Sequence, residues 1–211
     1  MKRLHGLYAI TSEALCVSQQ ALLAGVEAAL RGGAALIQYR DKWSAPEARE
    51  ARARALLALC RDRGVPLIIN DDVALAARVG ADGVHVGSLD LPVADARSAL
   101  GPQALVGMSC ASDLARALRA CADGADYVAF GRFFASRTKP GAPAAKPGVI
   151  EDARRLLQAQ TSICAIGGIT PENAQPLIDR GADLIAAVDG VFNAADVKQA
   201  AQRYAALFKQ S

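Results

Sequence analysis

Strand-length apolar runs alternate with alanine-rich helical segments eight times along this 211-residue chain, and no other feature restricts its fold as strongly. The runs predict strands at 6–10, 35–39, 66–70, 83–87, 105–109, 126–131, 162–167 and 184–188. Helices are expected near 19–31, 45–63, 72–79, 93–100, 112–123, 149–160, 171–180 and 194–208. From Glu47 to Cys60, Ala and Leu recur at helical spacing among Arg and Glu, and Gly64 and Pro66 signal the stop. Asp72 is expected to cap the third helix, and Thr170 with Pro171 to open the seventh. A dipeptide recurs before strands: Gly33-Ala34, Gly80-Ala81, Gly124-Ala125 and Gly181-Ala182, the last three extended to Gly-Ala-Asp by Asp82, Asp126 and Asp183. The steps between these glycines, 47, 44 and 57 residues, suit two βα units per quarter. The Gly ends a helix and the small residue lets the chain turn tightly into a strand. Such alternation implies parallel pairing through right-handed crossovers. An open doubly wound sheet competes, but eight near-equal units close more naturally into a (β/α)8 TIM barrel, eight parallel strands within an outer ring of helices. The length is short for that fold, so residues 1–211 are expected to form one barrel domain.

Composition removes other classes. A hydrophobic content of 52% is ample for one core, and 21% charged residues is an ordinary globular figure. A net charge of +3 with dispersed Lys and Arg argues against a nucleic-acid partner, and no apolar run is long enough for a membrane span. Met1 to Gly6 leads straight into a strand without a signal-peptide core, which points to the cytoplasm. Cys16, Cys60, Cys110, Cys121 and Cys164 are odd in number and widely spaced, so they read as reduced and mostly buried thiols.

Several predicted strands end abruptly in charge. Gln38-Tyr39-Arg40-Asp41-Lys42 follows the second, Asn70-Asp71-Asp72 the third and Ser88-Leu89-Asp90 the fourth, while Ser109 ends the fifth. In a barrel these groups gather at the C-terminal rim, where active sites lie. Asp71 and Asp90, with Lys and Arg nearby, suit Mg²⁺ bridging to a diphosphate, because Mg²⁺ takes oxygen ligands and keeps water and phosphate in its shell. Arg132 to Gly148 is the one long connection, with Arg132, Arg137 and Lys139 beside Ser136 and Thr138, and it is expected to form an anion-binding lid. Ala165 to Ile169 after strand seven and Ala187 to Val191 after strand eight bring glycines to a position where phosphate binds in many barrels.

These residues resemble the thiamine-phosphate synthase family, whose members are (β/α)8 enzymes. The resemblance runs from Leu7-Tyr8-Ala9-Ile10-Thr11 to about Phe192. It is carried by Gln38-x-Arg40-x-Lys42, Ile69 to Asp72, Gly80 to Gly87 with Asp90, Gly107-x-Ser109, Thr138-Lys139 and Ala165 to Thr170, all in the family's order. The resemblance implies the joining of a hydroxymethylpyrimidine diphosphate to a thiazole phosphate, with Mg²⁺ as cofactor and small phosphorylated molecules as partners. By motif it assigns Gln38, Arg40, Lys42, Asn70, Ser109 and Lys139 to the pyrimidine diphosphate, Arg40, Lys42, Ser109 and Lys139 being the catalytic set. Asp71 and Asp90 would hold the metal, and Ser136, Thr138, Gly168, Val188 and Asp189 would line the thiazole phosphate site.

Ser88, Arg132, Ser136 and Asp189 depart from the commonest family wording, which has Gln, Pro, Thr and Ser there. Asp189 is the awkward one, since a carboxylate repels phosphate unless the backbone alone makes the contact. A thiazole tautomerase and a non-catalytic phosphate-ligand sensor on the same scaffold are the rival functions. His85, on an apolar strand, is expected to be packed rather than catalytic, and Trp43 to cover the rim beside Lys42. Phe133 and Phe134 either pack the lid or stack on a pyrimidine. The stripe from Val197 to Phe208 would serve a barrel wall or a homodimer contact equally well.

Overall fold

In the computed structural model, which describes residues 3–135 and 144–208, eight parallel strands close into a barrel in sequence order. They are β1 (Gly6–Ile10), β2 (Ala34–Tyr39), β3 (Leu67–Asn70), β4 (Gly83–Val86), β5 (Leu105–Ala111), β6 (Tyr127–Phe130), β7 (Ser162–Ile166) and β8 (Leu184–Ala187). Around them run α1 (Gln19–Arg31), α2 (Pro46–Arg61), α3 (Val73–Val79), α4 (Val93–Leu100), α5 (Leu114–Ala122), α6 (Gly148–Leu156), α7 (Pro171–Ile178), α8 (Asp189–Phe192) and α9 (Val197–Ala206). β8 pairs back onto β1, Leu184 opposite Gly6, which removes both sheet edges.

Strand parity divides the core in two. Tyr8, Leu36, Ile68, Leu105, Tyr127, Cys164 and Leu184 pack inside the barrel, and their sequence neighbours pack against the helices. Cys16, Cys60, Cys110 and Cys164 are buried, and burial pushes the Cys60 and Cys110 thiols up to about 12. Asp72 caps α3 by accepting from Leu75 N–H at 2.8 Å, and Thr170 with Pro171 opens α7. The last helical stretch differs from expectation. Within the span 194–208 only Val197–Ala206 is helical, as α9 with Asp196 as its N-cap, and the short α8 lies before the span at Asp189–Phe192. α6 stops at Leu156 because Leu157 turns extended and buries its side chain. α9 lies on the barrel wall, with Tyr204 buried and donating to the Ile169 carbonyl at 2.8 Å.

The Gly-Ala-Asp repeat is a structural device. Gly33, Gly80, Gly124 and Gly181 all have positive φ, between 68° and 106°, a left-handed turn that a side chain would strain. The aspartate at the next strand's start then accepts from the backbone of the preceding strand. Asp82 takes the Leu67 N–H at 2.8 Å, Asp126 the Val106 N–H at 2.8 Å and Asp183 the Ile163 N–H at 2.7 Å. An arginine from an even-numbered helix closes each unit. Arg61 reaches the Gly80 carbonyl at 2.8 Å and lies 3.9 Å from Asp82. Arg97 reaches the Gly124 carbonyl at 2.7 Å and Asp126 at 2.5 Å. Arg154 reaches the Gly181 carbonyl at 3.0 Å and pairs with Asp183. These three clamps hold the N-terminal end of the barrel and leave the other end to chemistry.

Candidate active site

At the C-terminal end of the strands a cavity of about 580 Å³ opens, lined by residues from all eight strands or the loops that follow them. Of the predicted residues, Gln38, Arg40, Asn70, Ser109, Gly168, Val188 and Asp189 line it. Lys42, Asp71 and Asp90 do not, and form a cluster of their own beside Asn70. Ser136, Thr138 and Lys139 lie outside the described residues, as do all of 136–143 in the predicted anion-binding lid.

The strand β2 tip is held from below. Asp41 separates the two candidate cations Arg40 and Lys42 and is itself buried. Its carboxylate accepts from Tyr39 O–H at 3.0 Å, Trp43 N–H at 3.2 Å, Ser44 N–H at 3.0 Å and Arg52 at 3.0 Å. Burial pushes the Asp41 carboxyl up, but the hydrogen bonds from Ser44, Trp43 and Tyr39 outweigh it and hold it below the usual carboxylate range. Arg40 is anchored by its N–H to Thr11 Oγ1 at 2.8 Å, and its guanidinium sits 5.4 Å from the Trp43 ring centre. Trp43 thus covers the rim as expected, but over Arg40 rather than Lys42.

Lys42 Nζ lies 2.6 Å from Asp71 Oδ2. Asp71 has φ +62°, in the left-handed region, and its N–H donates to the His85 carbonyl at 2.8 Å. Burial pushes the Asp71 carboxyl up, yet Lys42 and hydrogen-bond contacts with Asp90 and Asn70 leave it below the usual range. The Asp90 loop is closed by Gly87 N–H donating to Asp90 Oδ2 at 2.7 Å. Asp71 follows β3 and Asp90 follows the adjacent β4, and the two carboxylates influence each other's charge, an oxygen-only pair of the kind Mg²⁺ accepts. Among the described residues no cluster of three or more His, Cys, Asp and Glu gathers, so an ion at this pair would complete its shell with water and ligand oxygens.

The floor of the cavity is a hydrogen-bonded chain that the sequence reading missed. Gln38 Nε2 donates to Tyr8 Oη at 2.6 Å, and Tyr8 and Tyr127 share a hydrogen bond of 2.8 Å. Tyr127 Oη is 3.0 Å from His85 Nδ1, and His85 Nε2 is 2.9 Å from Ser109 Oγ. His85 is packed as expected, its ring stacked 5.5 Å from that of Tyr127, but it also lines the cavity and grips a predicted site residue. Burial pushes both phenols far above their ordinary range, so they stay neutral. Gly107 makes this possible: a Cβ there would stand 1.9 Å from Tyr127 Cζ. A signal existed in the sequence, since Tyr8, Gln38, His85 and Tyr127 are polar residues at inward positions of otherwise apolar strands.

At the far wall, Gly167 and Gly168 follow β7, and Val188 to Gly190 follow β8 into α8. Asp189 Oδ1 accepts from Asn193 Nδ2 at 3.0 Å, so its side chain is engaged along α8. Phe133 and Phe134 pack, half-buried, against the outer core.

A family described as thiamine monophosphate synthase matches residues 7–191. A thiamine-phosphate synthase of Thioalkalivibrio sulfidiphilus is 50% identical over 208 residues, 99% of this chain and 97% of that protein. One of Marinobacter nauticus is 54% identical over 187 residues, 89% of this chain and 82% of its own length. The solved structure of a thiamine phosphate pyrophosphorylase from Pyrococcus furiosus superposes with a TM-score of 0.87 at 29% identity, covering 99% of this chain and 97% of that one.

Proposed function

The chain belongs to the thiamine monophosphate synthase family, a family of transferases, and from that premise we propose that it joins a hydroxymethylpyrimidine diphosphate to a thiazole phosphate, releasing diphosphate. The observation that carries this reading is the meeting of Lys42, Asp71 and Asp90 beside a cavity that Arg40, Asn70 and Ser109 line. In the proposed reaction the bond from the pyrimidine's methylene carbon to the diphosphate oxygen breaks, and the thiazole nitrogen forms the new bond to that carbon. The electron-rich aminopyrimidine supports a carbocation-like transition state, so no protein nucleophile is required. Arg40 and Lys42, with Lys139, stabilise the charge that gathers on the departing oxygens. Gln38, Asn70 and Ser109 hold the pyrimidine, and Ser136, Thr138 and the backbone N–H groups at Gly168, Val188 and Asp189 hold the thiazole phosphate, so that orientation supplies part of the rate. Asp71 and Asp90 would hold Mg²⁺, which when bound supplies further positive charge to the diphosphate. The Asp189–Asn193 bond supports a backbone-only role for Asp189 at the phosphate.

The test is direct. Both substrates are mixed with the chain and Mg²⁺, and thiamine phosphate and diphosphate are measured. Coupling is expected, with losses of about 10²-fold in Lys42→Ala and Asp71→Ala. Wild-type rates in either variant would remove the role given to that residue. Thiazole isomerisation without coupling would favour the tautomerase, and binding without turnover the sensor.

A further inference from the structure

The chain of hydrogen bonds under the cavity has a direction, and counting its hydrogens gives it. Gln38 Nε2 donates to Tyr8 Oη, so the Tyr8 hydrogen remains to be placed. Tyr8 is 1% exposed and Tyr127 0%, so water cannot receive a phenol hydrogen that the protein leaves over. Tyr8 therefore donates to Tyr127 Oη, its partner at 2.8 Å. Tyr127, having accepted that hydrogen, donates its own to His85 Nδ1 at 3.0 Å. With the Gln38 amide nitrogen on Tyr8, reversing either link would leave a buried O–H without an acceptor, the costlier arrangement. A neutral imidazole carries one N–H, and with Nδ1 accepting it sits on Nε2, 2.9 Å from Ser109 Oγ. Ser109 then accepts from His85 and keeps its own hydroxyl hydrogen, on a side chain that lines the cavity.

We infer that His85 is a positioning residue, held as the Nε2–H tautomer by Gln38, Tyr8 and Tyr127, and that it sets Ser109 to donate rather than accept a hydrogen bond in the cavity. The inference rests on the reading of Ser109 as a contact to the pyrimidine substrate. It deepens that reading, because the group facing Ser109 must then carry a lone pair, as a ring nitrogen or a diphosphate oxygen does. It also explains why polar residues from β1, β2, β4, β5 and β6 converge inside an otherwise apolar barrel: together they fix one proton.

Nitrogen-15 NMR of the full chain without substrate reads the tautomer directly. The chain has only two histidines, and His5→Gln assigns the pair of ring spectra. The expected result is a proton on His85 Nε2 and a bare Nδ1, and a proton on Nδ1 overturns the inference. Tyr127→Phe removes the donor to Nδ1, so His85 should lose its single tautomer. In that variant kcat should fall about tenfold while the KM for thiazole phosphate stays within about twofold. In a Ser109→Ala background the same Tyr127→Phe change should lower kcat no further. If the two losses instead multiply in full, Tyr127 acts on the fold and not through Ser109, and the positioning role fails. The tautomer is measured without turnover, so a chain that does not couple the two substrates sinks the proposed function and leaves this reading standing.

Discussion

At the residue scale, the informative side chains are those whose partners are decided before any ligand arrives. Asp41 is the clearest: a buried carboxylate with four donors fixes the backbone from which Arg40 and Lys42 project. Asp41→Ala leaves Arg52, only 13% exposed, without its counter-charge, and should cost about 3 kcal/mol of stability by urea unfolding. The pH dependence has a definite sign. The folded pKa of Asp41 is depressed below its ordinary value of 3.8, so its contribution is complete above that value. It is lost as pH falls through the lower folded pKa. Wild type and variant should therefore differ by a constant amount at neutral pH and converge in strong acid. Activity should fall as well, because Arg40 and Lys42 lose their common anchor.

At the scale of elements, the barrel is stitched by one unit used three times, and its copies are not equal. The Arg97 side chain is 21% exposed, reaches the Gly101, Ala104 and Gly124 carbonyls and pairs with Asp126. Arg61 is 58% exposed and stands 3.9 Å from Asp82. Arg97→Ala should therefore destabilise by about 2–3 kcal/mol and Arg61→Ala by less than about 1 kcal/mol. Thermal or urea unfolding of the two variants side by side checks the ranking, and equal losses would contradict it. The aspartates matter differently, since each satisfies an N–H in the first two residues of a strand. Asp82→Ala should thus cost more than Arg61→Ala despite the loose ion pair, because it orphans the Leu67 N–H.

At the scale of the whole molecule, a barrel closed without edges puts a structural end and a chemical end on the same eight strands, and its interior must be filled. Gly107 and Tyr127 share one volume on neighbouring strands, so Gly107→Ala drives a methyl group into the phenol ring and should destabilise by about 3 kcal/mol. Loss of the Tyr127 contact to His85 in that variant should appear in the same nitrogen-15 spectrum. If the cavity binds the pyrimidine diphosphate with Mg²⁺, ligand at 100 times its Kd should raise stability by about 2.7 kcal/mol, read as a shift in Tm. Most of the architecture was legible in the linear order of residues: alternating periodicities, Gly33, Gly80, Gly124 and Gly181 as turn points, and charged tips after β2, β3 and β4 are local signals set by backbone sterics and burial. The tips also marked Arg40, Lys42, Asn70, Asp71 and Asp90, because a polar residue ending a buried strand has few places to go. The arginine clamps were not legible, and of the chain from Gln38 to Ser109 the polar inward residues were visible but their pairing was not. Arg97 and Asp126 are 29 residues apart, Tyr8 and Tyr127 119 apart, and nothing in either neighbourhood names its partner. The sequence by itself determined the strands, the helices and the end at which charge would gather, since those follow from contacts within a few residues. Only closure of the barrel decided which inward residues share a layer, and so that His85, expected merely to pack, holds Ser109. Register across strands is a property of the closed ring, set by shear and packing that no single segment carries.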